Sequence, residues 1–431
     1  MQTKDTWFGQ PKGLTILFLT EMWEKFSFFG MRALQIYYMT KELQFSQATA
    51  SLIFGSYAAS VYLTPIFGGI IADRWLGRKR AVIIGGLLMA VGHFMMTFES
   101  MFFIAMAFIA LGNGLFLPNL PSQVPLLYPK GDPRAVSAFN VYYVGVNLGG
   151  FLAPLICGAL GEIYGWHYGF GAAGIGMCLG LLVYVMGSKH LPSDREEARP
   201  VPTAETAAGQ SNIGLLLSVW FAVVLFRSAY EQTGNTLAIW ADTSIDRLAF
   251  GWQIPVTWFQ SLNPMFVFLI SPLLVQAWMR REARGIATPP ALSRMTMGAV
   301  GVGAAFGLLA MLIFFSSAAP NSVSWIWLVV FFAVFTLAEL HILPIGLGLF
   351  AVLAPARFGA TTIAAWFSAS FAGNFLSGVI GTAWEYMTPA GFFLMIAGLC
   401  CFSGLLLSII QKRQRQPLMQ AMPRQSDMQA P

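Results

Sequence analysis

The chain contains a long series of apolar runs, and each run is about 20 residues or longer, which is enough to cross a bilayer as a helix. Only 10% of the residues are charged, whereas a soluble protein carries about 25%. The sequence therefore predicts an all-α membrane protein with twelve transmembrane helices. The predicted spans are residues 14–39, 50–72, 80–98, 101–127, 136–161, 168–187, 213–241, 254–279, 293–316, 323–352, 360–384 and 390–410.

Basic residues are distributed unevenly between the two ends of the predicted helices. One side has Lys41 and Arg247 in its connections, whereas the other side, which includes both termini, carries nearly all of the remaining lysines and arginines. Because cytoplasmic loops are rich in Lys and Arg, both termini are expected in the cytoplasm of a multi-pass protein of the bacterial inner membrane. The same asymmetry accounts for the net charge of +6 without a nucleic-acid partner.

The longest polar connection divides the predicted spans into two groups of six. It contains SDREEARPVPTAETAAGQSN and lacks an apolar period, which is typical of a flexible linker. Two six-helix bundles joined by a cytoplasmic linker are the layout of the major facilitator superfamily, in which the bundles rock around a site near the membrane midplane. The expected N-terminal bundle, linker, C-terminal bundle and cytoplasmic tail are residues 1–187, 188–212, 213–411 and 412–431.

Four charged residues lie inside the first predicted span, namely Glu21, Glu24, Lys25 and Arg32. A charge at the bilayer centre costs about 2.5–3.5 kcal/mol on insertion scales, so such side chains pair with one another or line a wet cavity. At about 100° per residue, the four fall within about 100° of one helix face and extend over about 16 Å of its length. A one-sided stripe of both signs predicts a functional site.

Two acidic residues lie deep in the spans of the second group, each close to residues that loosen a helix. Glu231 is followed by Gly234 in SAYEQTGN, and Glu339 is followed by Pro344 in LAELHILPIG. Transporters place coupling and substrate sites where bent helices carry a carboxylate. Burial disfavours the charged form of a carboxylate and a nearby cation favours it, so a carboxylate that alternates between a cation and a proton is a simple coupling device.

The charged segment of the first span, EMWEKFSFFGMRA, resembles the motif E-x-x-E-R-F-x-Y-Y-G-M-R-A of the proton-dependent oligopeptide transporter family, in which Arg stands at the position of Lys25. VYLTPIFGGIIADRWLGRKR resembles the cytoplasmic loop of the superfamily, and FNVYYVGVNLGG resembles the F-Y-x-x-I-N-x-G signature of the fifth helix. Further motifs of the family match AYEQTGNTLAIWAD, IPVTWFQSLNP, AELHILPIGL and APARFGATTIAAWFSASFAGN. These matches follow one another in order from the first helix to the eleventh.

The resemblance implies roles for individual residues. It assigns proton coupling to Glu21, Glu24, Lys25 and Glu231. It assigns substrate contacts to Arg32, Tyr62, Asn147, Glu231, Asn263, Glu339 and Trp366, with Arg32 holding a peptide carboxylate and Glu339 facing the amino group. It assigns conformational gating to the loop residues Asp73, Arg74, Gly77 and Arg78. Tyr37, which follows Arg32 by five residues, is also expected to reach the pocket.

Three features depart from the family pattern. The family usually has G-L-F-K-P-N on the fourth helix, where a Lys pairs with an acid of the first helix, but this chain has Leu117 at that position. Glu24 is therefore expected to pair locally with Lys25 or Arg32. Bacterial members usually insert two extra helices between the halves, whereas here there is only the linker. His341 lies two residues after Glu339, where an uncharged residue is expected, and it can titrate near neutral pH.

The leading hypothesis is a proton-coupled symporter of di- and tripeptides or related small peptidic compounds. It would work by alternating access as a monomer among membrane lipids, with the proton gradient as its energy source and with no cofactor or metal. The loss of the Lys leaves open the same fold with a non-peptide carboxylated metabolite as cargo, or export of a modified peptide or drug. A membrane-embedded enzyme is a remote alternative, because no Ser-His-Asp arrangement, paired-His spacing or metal-ligand cluster is present in the sequence.

Overall fold

A computed structural model of the protein describes residues 6–7, 9–129, 132, 134–193, 213–249, 251–316, 321–353 and 359–421. Helices make up most of these residues. In chain order they are α1 (Lys12–Tyr37), α2 (Gln47–Ile71), α3 (Arg78–Met95), α4 (Phe102–Phe116), α5 (Arg134–Ala153), α6 (Ala159–Tyr164), α7 (Trp166–Gly187), α8 (Ile213–Tyr230), α9 (Thr236–Ser244), α10 (Leu262–Ala283), α11 (Ala291–Phe315), α12 (Ile326–Glu339), α13 (Leu343–Leu353), α14 (Gly359–Gly381) and α15 (Pro389–Ala421).

Short π and 3₁₀ turns extend or join these helices. The π turns are Tyr38–Glu42, Ala72–Leu76 and Pro154–Gly158. The 3₁₀ turns are Glu99–Met101, Pro121–Gln123, Pro125–Leu127, Ser188–His190, Glu231–Gly234, Val256–Ser261 and Thr382–Tyr386. Each of the twelve predicted spans coincides with one α-helix or with two in series, so the predicted all-α architecture is confirmed.

Two spans break at the acidic residues that the sequence singles out. The 3₁₀ turn Glu231–Gly234 separates α8 from α9. Glu339 is the last residue of α12, and residues 340–342 form a turn before α13. Pro344 follows at the second residue of α13, where a missing N–H does no harm to the helix. The predicted bends are confirmed, and both carboxylates lie where the backbone leaves regular helical geometry.

Among the residues that the structure describes, three pairs of two-residue strands lie before α1 and in the connections between helices. Strand β1 (Thr6–Trp7) pairs antiparallel with β2 (Gln10–Pro11). Strand β3 (Ile245–Asp246) pairs parallel with β6 (Val323–Ser324), with Ile245 opposite Val323. Strand β4 (Leu248–Ala249) pairs antiparallel with β5 (Trp252–Gln253).

The helices have the length and the outer surface of membrane spans. Among the described residues, nine helical stretches are long and apolar enough to cross a membrane. The other three predicted spans lie over α1, which carries the four internal charges, over α3, which begins with three basic residues, and over α14. Large apolar side chains such as Phe67, Leu111 and Phe314 are exposed on the outside, as contact with lipid requires. The chain is a multi-pass membrane protein.

We call α1–α7 the N-terminal half and α8–α15 the C-terminal half. In the N-terminal half, α1 packs against α5 and α7, and α3 packs against α4 and α7. In the C-terminal half, α11 packs against α15 and α12, and α8 packs against α14 and α15. Between the halves, α2 lies along α14 and α10 contacts α5. The largest cluster of buried apolar side chains includes residues of both halves, such as Phe54 and Phe306.

Polar contacts join the two halves at the end of the bundle where α1 ends and α2 begins, which we call the far end. Lys41 Nζ lies 2.7 Å from the Asp242 carboxylate, and Ser51 Oγ donates to Asn235 Oδ1 at 2.9 Å. Close packing supports these bonds, because a Cβ atom built on Gly55 of α2 would lie 2.5 Å from the backbone of Gly378 in α14. The far end is therefore closed.

Candidate functional site

A cavity of about 340 Å³ lies between the two halves. It is lined by residues of α1, α2 and α5 on one side and of α8, α10, α12 and the neighbouring turns on the other. Six of the residues predicted to contact substrate line it, namely Arg32, Tyr62, Asn147, Glu231, Asn263 and Glu339. The structure therefore brings residues from both halves, far apart in sequence, into one cavity.

One end of the cavity contains a salt bridge between the halves. Arg32 of α1 donates from Nη2 to the carboxylate of Glu231, at the break between α8 and α9. The guanidinium of Arg32 also lies over the ring of Phe54, with Cζ 5.2 Å from the ring centroid. Both charged groups are largely buried, so their pairing offsets part of the cost of burying each charge.

The other end of the cavity contains a hydrogen-bonded carboxyl group. Asn263 of α10 donates from Nδ2 to one oxygen of Glu339 at 2.5 Å, and Tyr230 of α8 donates its hydroxyl to the other oxygen at 2.9 Å. Asn263 is oriented by a further contact, since its Nδ2 lies 3.0 Å from Thr336 Oγ1. These partners of Glu339 are neutral, so its charge is available to a cationic group of a ligand.

The two ends give the cavity an electrostatic polarity. A guanidinium lies at the Arg32 end, and a carboxyl group that bonds the neutral side chains of Asn263 and Tyr230 lies at the Glu339 end. Tyr62 and Asn147 add polar atoms to the lining, and Asn147 Nδ2 donates to Tyr143 O at 2.9 Å. Such a cavity fits a small ligand with a negative group at one end and a positive group at the other.

The other charges of α1 form a separate cluster outside the cavity lining. Lys25 Nζ lies 2.6 Å from Glu24 and 3.4 Å from Glu21. The expected local pairing of Glu24 is thus present, and its partner is Lys25. Tyr142 of α5 donates its hydroxyl to Glu21 at 2.5 Å. The cluster therefore holds two acids, one cation and one neutral donor in the interior of the N-terminal half.

Leu117 directly follows the last residue of α4 and has a half-buried apolar side chain, so the acids of α1 receive no ammonium from this position. Tyr142 supplies the additional donor to Glu21 instead. This role of Tyr142 was not predicted from the sequence. The available signal was that FNVYYVGVN places a Tyr where the family signature has Phe, in the same chain that lacks the Lys.

Two residues predicted to contact substrate do not line the cavity. Tyr37 is 1% exposed, and its hydroxyl donates to the carbonyl of Ala238 at 3.1 Å, so it links the halves near the far end. Trp366 packs edge-on against Phe350, with ring centroids 5.3 Å apart. The reason is geometric, because Tyr37 follows Arg32 by more than one helical turn and the ring of Trp366 faces α13.

The predicted gating residues lie in and after the π turn between α2 and α3. Asp73 and Arg74 are exposed in this turn. Gly77 has φ of +75°, a conformation that favours glycine, and its N–H donates to Ala72 O at 2.8 Å. Arg78 begins α3. The sharp reversal between α2 and α3 thus depends on Gly77.

His341 lies in the turn after α12 and does not line the cavity. Its Nδ1 donates to the carbonyl of Leu337 at 2.8 Å, and its ring lies 6.0 Å from that of Trp278. In the residues that the structure describes, no group of three or more His, Cys, Asp or Glu side chains could hold a metal ion.

Arg227 is a third charged residue at the Arg32 end that the sequence analysis did not assign. It lies one turn before Glu231 on α8, and its Nη1 is 3.5 Å from the Glu231 carboxylate. The available signal was the i, i+4 spacing of a buried Arg and a buried Glu. Glu231 therefore contacts two guanidinium groups, one from each half.

Comparison with known proteins agrees with this architecture. A model of the POT family matches residues 79–207 and 203–395. The chain is similar to the peptide transporter YePEPT of Yersinia enterocolitica, with 31% identity over 87% of this chain and 88% of the relative. It is equally similar to a di-/tripeptide transporter of Lactococcus lactis subsp. cremoris, with 31% identity over 95% of this chain and 97% of the relative.

Solved structures show the same fold. A crystal structure of a peptide transporter POT in complex with sulfate superposes with a TM-score of 0.85, at 31% identity, over 95% of this chain and 96% of that chain. A mutant form of a peptide transporter POT in complex with alafosfalin gives a TM-score of 0.84 at 30% identity over the same shares of the two chains. The predicted major facilitator architecture is confirmed by these likenesses.

Proposed function

Since the chain belongs to the POT family, we propose that it is a proton-coupled secondary transporter that carries di- and tripeptides by alternating access. The polar cavity between the halves is the observation that carries this proposal. Its curated relatives are named as peptide transporters, which supports the same class of cargo here. Those relatives are transporters rather than enzymes, and we assign this chain no catalytic activity.

Arg32 and Glu339 bind the two ends of a zwitterionic peptide. The C-terminal carboxylate accepts two parallel hydrogen bonds from the Arg32 guanidinium, a geometry that its planar fork of donors favours. The amino group lies against Glu339, which has only neutral partners among the contacts of its carboxyl group. Tyr62, Asn147 and Asn263 bond the peptide backbone between these ends.

Protons drive the transport cycle through carboxylates in both halves. Glu21 and Glu24 share Lys25 in the N-terminal half, and Glu231 pairs with Arg32 across the cavity. A proton on one of these carboxylates cancels its charge and weakens its salt bridge, which lets the halves move apart. The proton gradient is the energy source, and no organic cofactor or metal is needed.

Residues 1–187 and 213–411 act as two six-helix bundles joined by the linker 188–212, and the tail 412–431 follows the last span. Both termini lie in the cytoplasm of a bacterial cell, so the far end faces outward from the inner membrane. The closed far end supports a conformation open towards the cytoplasm. The monomer contains the whole cavity, and one chain is sufficient for transport.

A second candidate keeps the fold and changes the cargo to a non-peptide carboxylated metabolite, or to an exported peptide-like compound. The observation that favours it is the altered α1 cluster, in which Tyr142 bonds Glu21 and Leu117 replaces a basic residue. The direction of transport depends on how proton binding and cargo binding are coupled. A cluster that binds protons differently would therefore change the direction of transport.

Uptake into proteoliposomes tests the proposal. Vesicles of phosphatidylethanolamine and phosphatidylglycerol are loaded near neutral pH and diluted into acidic buffer containing labelled dialanine or trialanine. We expect accumulation that stops when a protonophore collapses the gradient, together with proton entry on adding peptide. Absence of both signals with every peptide tested would exclude peptide symport. Accumulation of a non-peptide acid in the same vesicles would then support the second candidate.

A further inference from the structure

Arg227 is buried behind the side chains that line the cavity, and its surroundings hold it in place. It is 7% exposed, and its Nη2 donates to the Tyr62 hydroxyl at 3.0 Å and to Ser370 Oγ at 3.2 Å. On the neighbouring helix α14, a Cβ atom built on Gly373 would lie 2.4 Å from the Cβ of Arg227. The space for this arginine therefore exists because α14 has a glycine there.

The guanidinium of Arg227 is close enough to the cavity to act on a ligand. Its Cζ lies 5.3 Å from the ring centroid of Tyr62 and 5.7 Å from that of Tyr230, and both tyrosines line the cavity. The tyrosine faces stabilise a buried cation without neutralising it. The positive charge thus remains to be balanced by an anion.

Charges at this end of the cavity do not balance. Arg32 of α1 and Arg227 of α8 both contact Glu231, which is their shared anion. The other groups around this carboxylate are neutral: Tyr62 from α2, Tyr230 from α8, and Ser370 and Asn374 from α14. The acid Glu339 lies at the opposite end, where it bonds Tyr230 and interacts with Arg227 through their charges only, without an ion pair between the two side chains. An unbalanced positive charge in a buried site favours the entry of one negative group.

We infer that Arg227 is a second guanidinium that stays with Glu231 when Arg32 turns to an anionic group of the ligand, so that Glu231 needs no proton for the ligand to bind. This inference deepens the proposed function and depends on it for the identity of the natural ligand. In a site with Arg32 alone, a ligand carboxylate and Glu231 would compete for one cation, and acid would be needed to remove the competitor. With Arg227 present, two cations face two anions.

Sulfate is a suitable probe, because it is anionic throughout the pH range of interest and needs no contact with Glu339. Sulfate binding to the purified full-length protein in detergent is measured by calorimetry at about pH 6 and about pH 8, far from the titration of sulfate itself. For the wild type, we expect the two dissociation constants to differ by less than about threefold, since both cations are always charged. For Arg227→Gln, we expect binding at the higher pH to be at least about tenfold weaker than at the lower pH. Arg227→Lys restores the wild-type pattern.

A double variant separates this role from a structural one. In Glu231→Gln, the competing carboxylate is gone. Adding Arg227→Gln to this variant should therefore leave the ratio of the sulfate dissociation constants at the two pH values unchanged. The proposal is overturned if the dissociation constants at the two pH values have the same ratio in Arg227→Gln as in the wild type, or if the wild type binds no sulfate at either pH.

Ser370 offers an independent test if Arg227→Gln does not fold. Ser370→Asp places a second anion beside Arg227 and balances the charges, so sulfate binding at the higher pH should fall by about tenfold or more. Ser370→Asn has the same shape without the charge and should bind like the wild type. Equal binding by these two variants would overturn the proposal.

Dialanine binding is measured in parallel and reports on the proposed function. Sulfate binding with the expected pH pattern, but without any binding of dialanine, would support the role of Arg227 and count against peptide as the cargo. Dialanine binding with an unchanged sulfate pattern in Arg227→Gln would support peptide as the cargo and overturn the role of Arg227.

Discussion

Arg32 on α1 and Glu231 at the end of α8 form a salt bridge that connects the two halves at one end of the cavity. The bridge has two consequences for function. It holds the Arg32 guanidinium at the place where we propose that a ligand carboxylate binds. In that proposal, Arg32 becomes available when the ligand or a proton replaces Glu231 as its partner, or when another cation pairs with Glu231.

Replacing Arg32 by Ala should weaken the binding of dialanine by about a hundredfold, because a charge-assisted bond to the carboxylate and its bidentate geometry are lost together. Binding of dialanine amide should weaken far less, since the amide has no negative charge. Calorimetry on both ligands measures the difference. Arg284→Ala, which removes an exposed guanidinium after α10, is the control. An equal loss for the acid and the amide would contradict a carboxylate role for Arg32.

Replacing Glu339 by Gln should weaken the binding of dialanine by about tenfold or more, because the amide keeps the shape but removes the negative charge that faces the amino group. N-acetyl dialanine has no cationic amine, so its already weak binding should change little. A competition assay against labelled dialanine gives both values.

Glu99→Gln is the control for this experiment, because Glu99 is exposed in a turn before α4. The assignment of Glu339 to the amino group would be wrong if acetylated and free dialanine lost affinity equally.

Replacing Tyr142 by Phe removes the hydroxyl that donates to Glu21 at 2.5 Å. Glu21 belongs to the proposed proton-coupling cluster of α1, so losing this donor should change the pH dependence of proton-driven uptake. The measurement is the initial rate of dialanine uptake over a range of external pH. A rate that falls equally at every pH would indicate a purely structural role for the hydroxyl.

Tyr184→Phe is a matched control in the same half. Its buried hydroxyl bonds the side chain of Gln123. Loss of that bond should lower stability by about 1 kcal/mol and leave the pH dependence unchanged.

The main residues of the candidate site could be recognised in the sequence, because a charged residue inside an apolar span indicates a site. Glu339 precedes a proline in an apolar span, and Arg32 lies on the same helix face as three other charges, so each signals a site without any structure. The helix breaks at both acids follow from the same local sequence. Which end of the cavity each acid occupies depends on the packing of the two halves, and that is not a local property.

Two partners of the acids could not be predicted from single segments. The contact between Tyr142 and Glu21 joins α5 to α1 across 121 residues, and no periodicity within either helix encodes it. Arg227 was visible as a buried charge, yet its meaning depends on Arg32 reaching the same carboxylate from the other half. Tyr37 shows the opposite case, since a residue close to Arg32 in sequence bonds Ala238 outside the cavity.

Glycine contacts at the far end should control the balance between conformations. A Cβ atom at Gly55 would lie 2.5 Å from the backbone of Gly378, closer than side-chain carbons approach a backbone in folded proteins. Gly55→Ala should therefore prevent α2 and α14 from closing and favour the conformation with the far end open. Spin labels on the exposed residues Ser46 and Tyr386 should report a longer distance in this variant, and dialanine uptake should fall by about tenfold.

Gly171→Ala is the matched control, because a Cβ atom there would meet nothing within 4 Å, and it should change neither the label distance nor the uptake. An unchanged label distance in Gly55→Ala would show that closure of the far end does not depend on this contact.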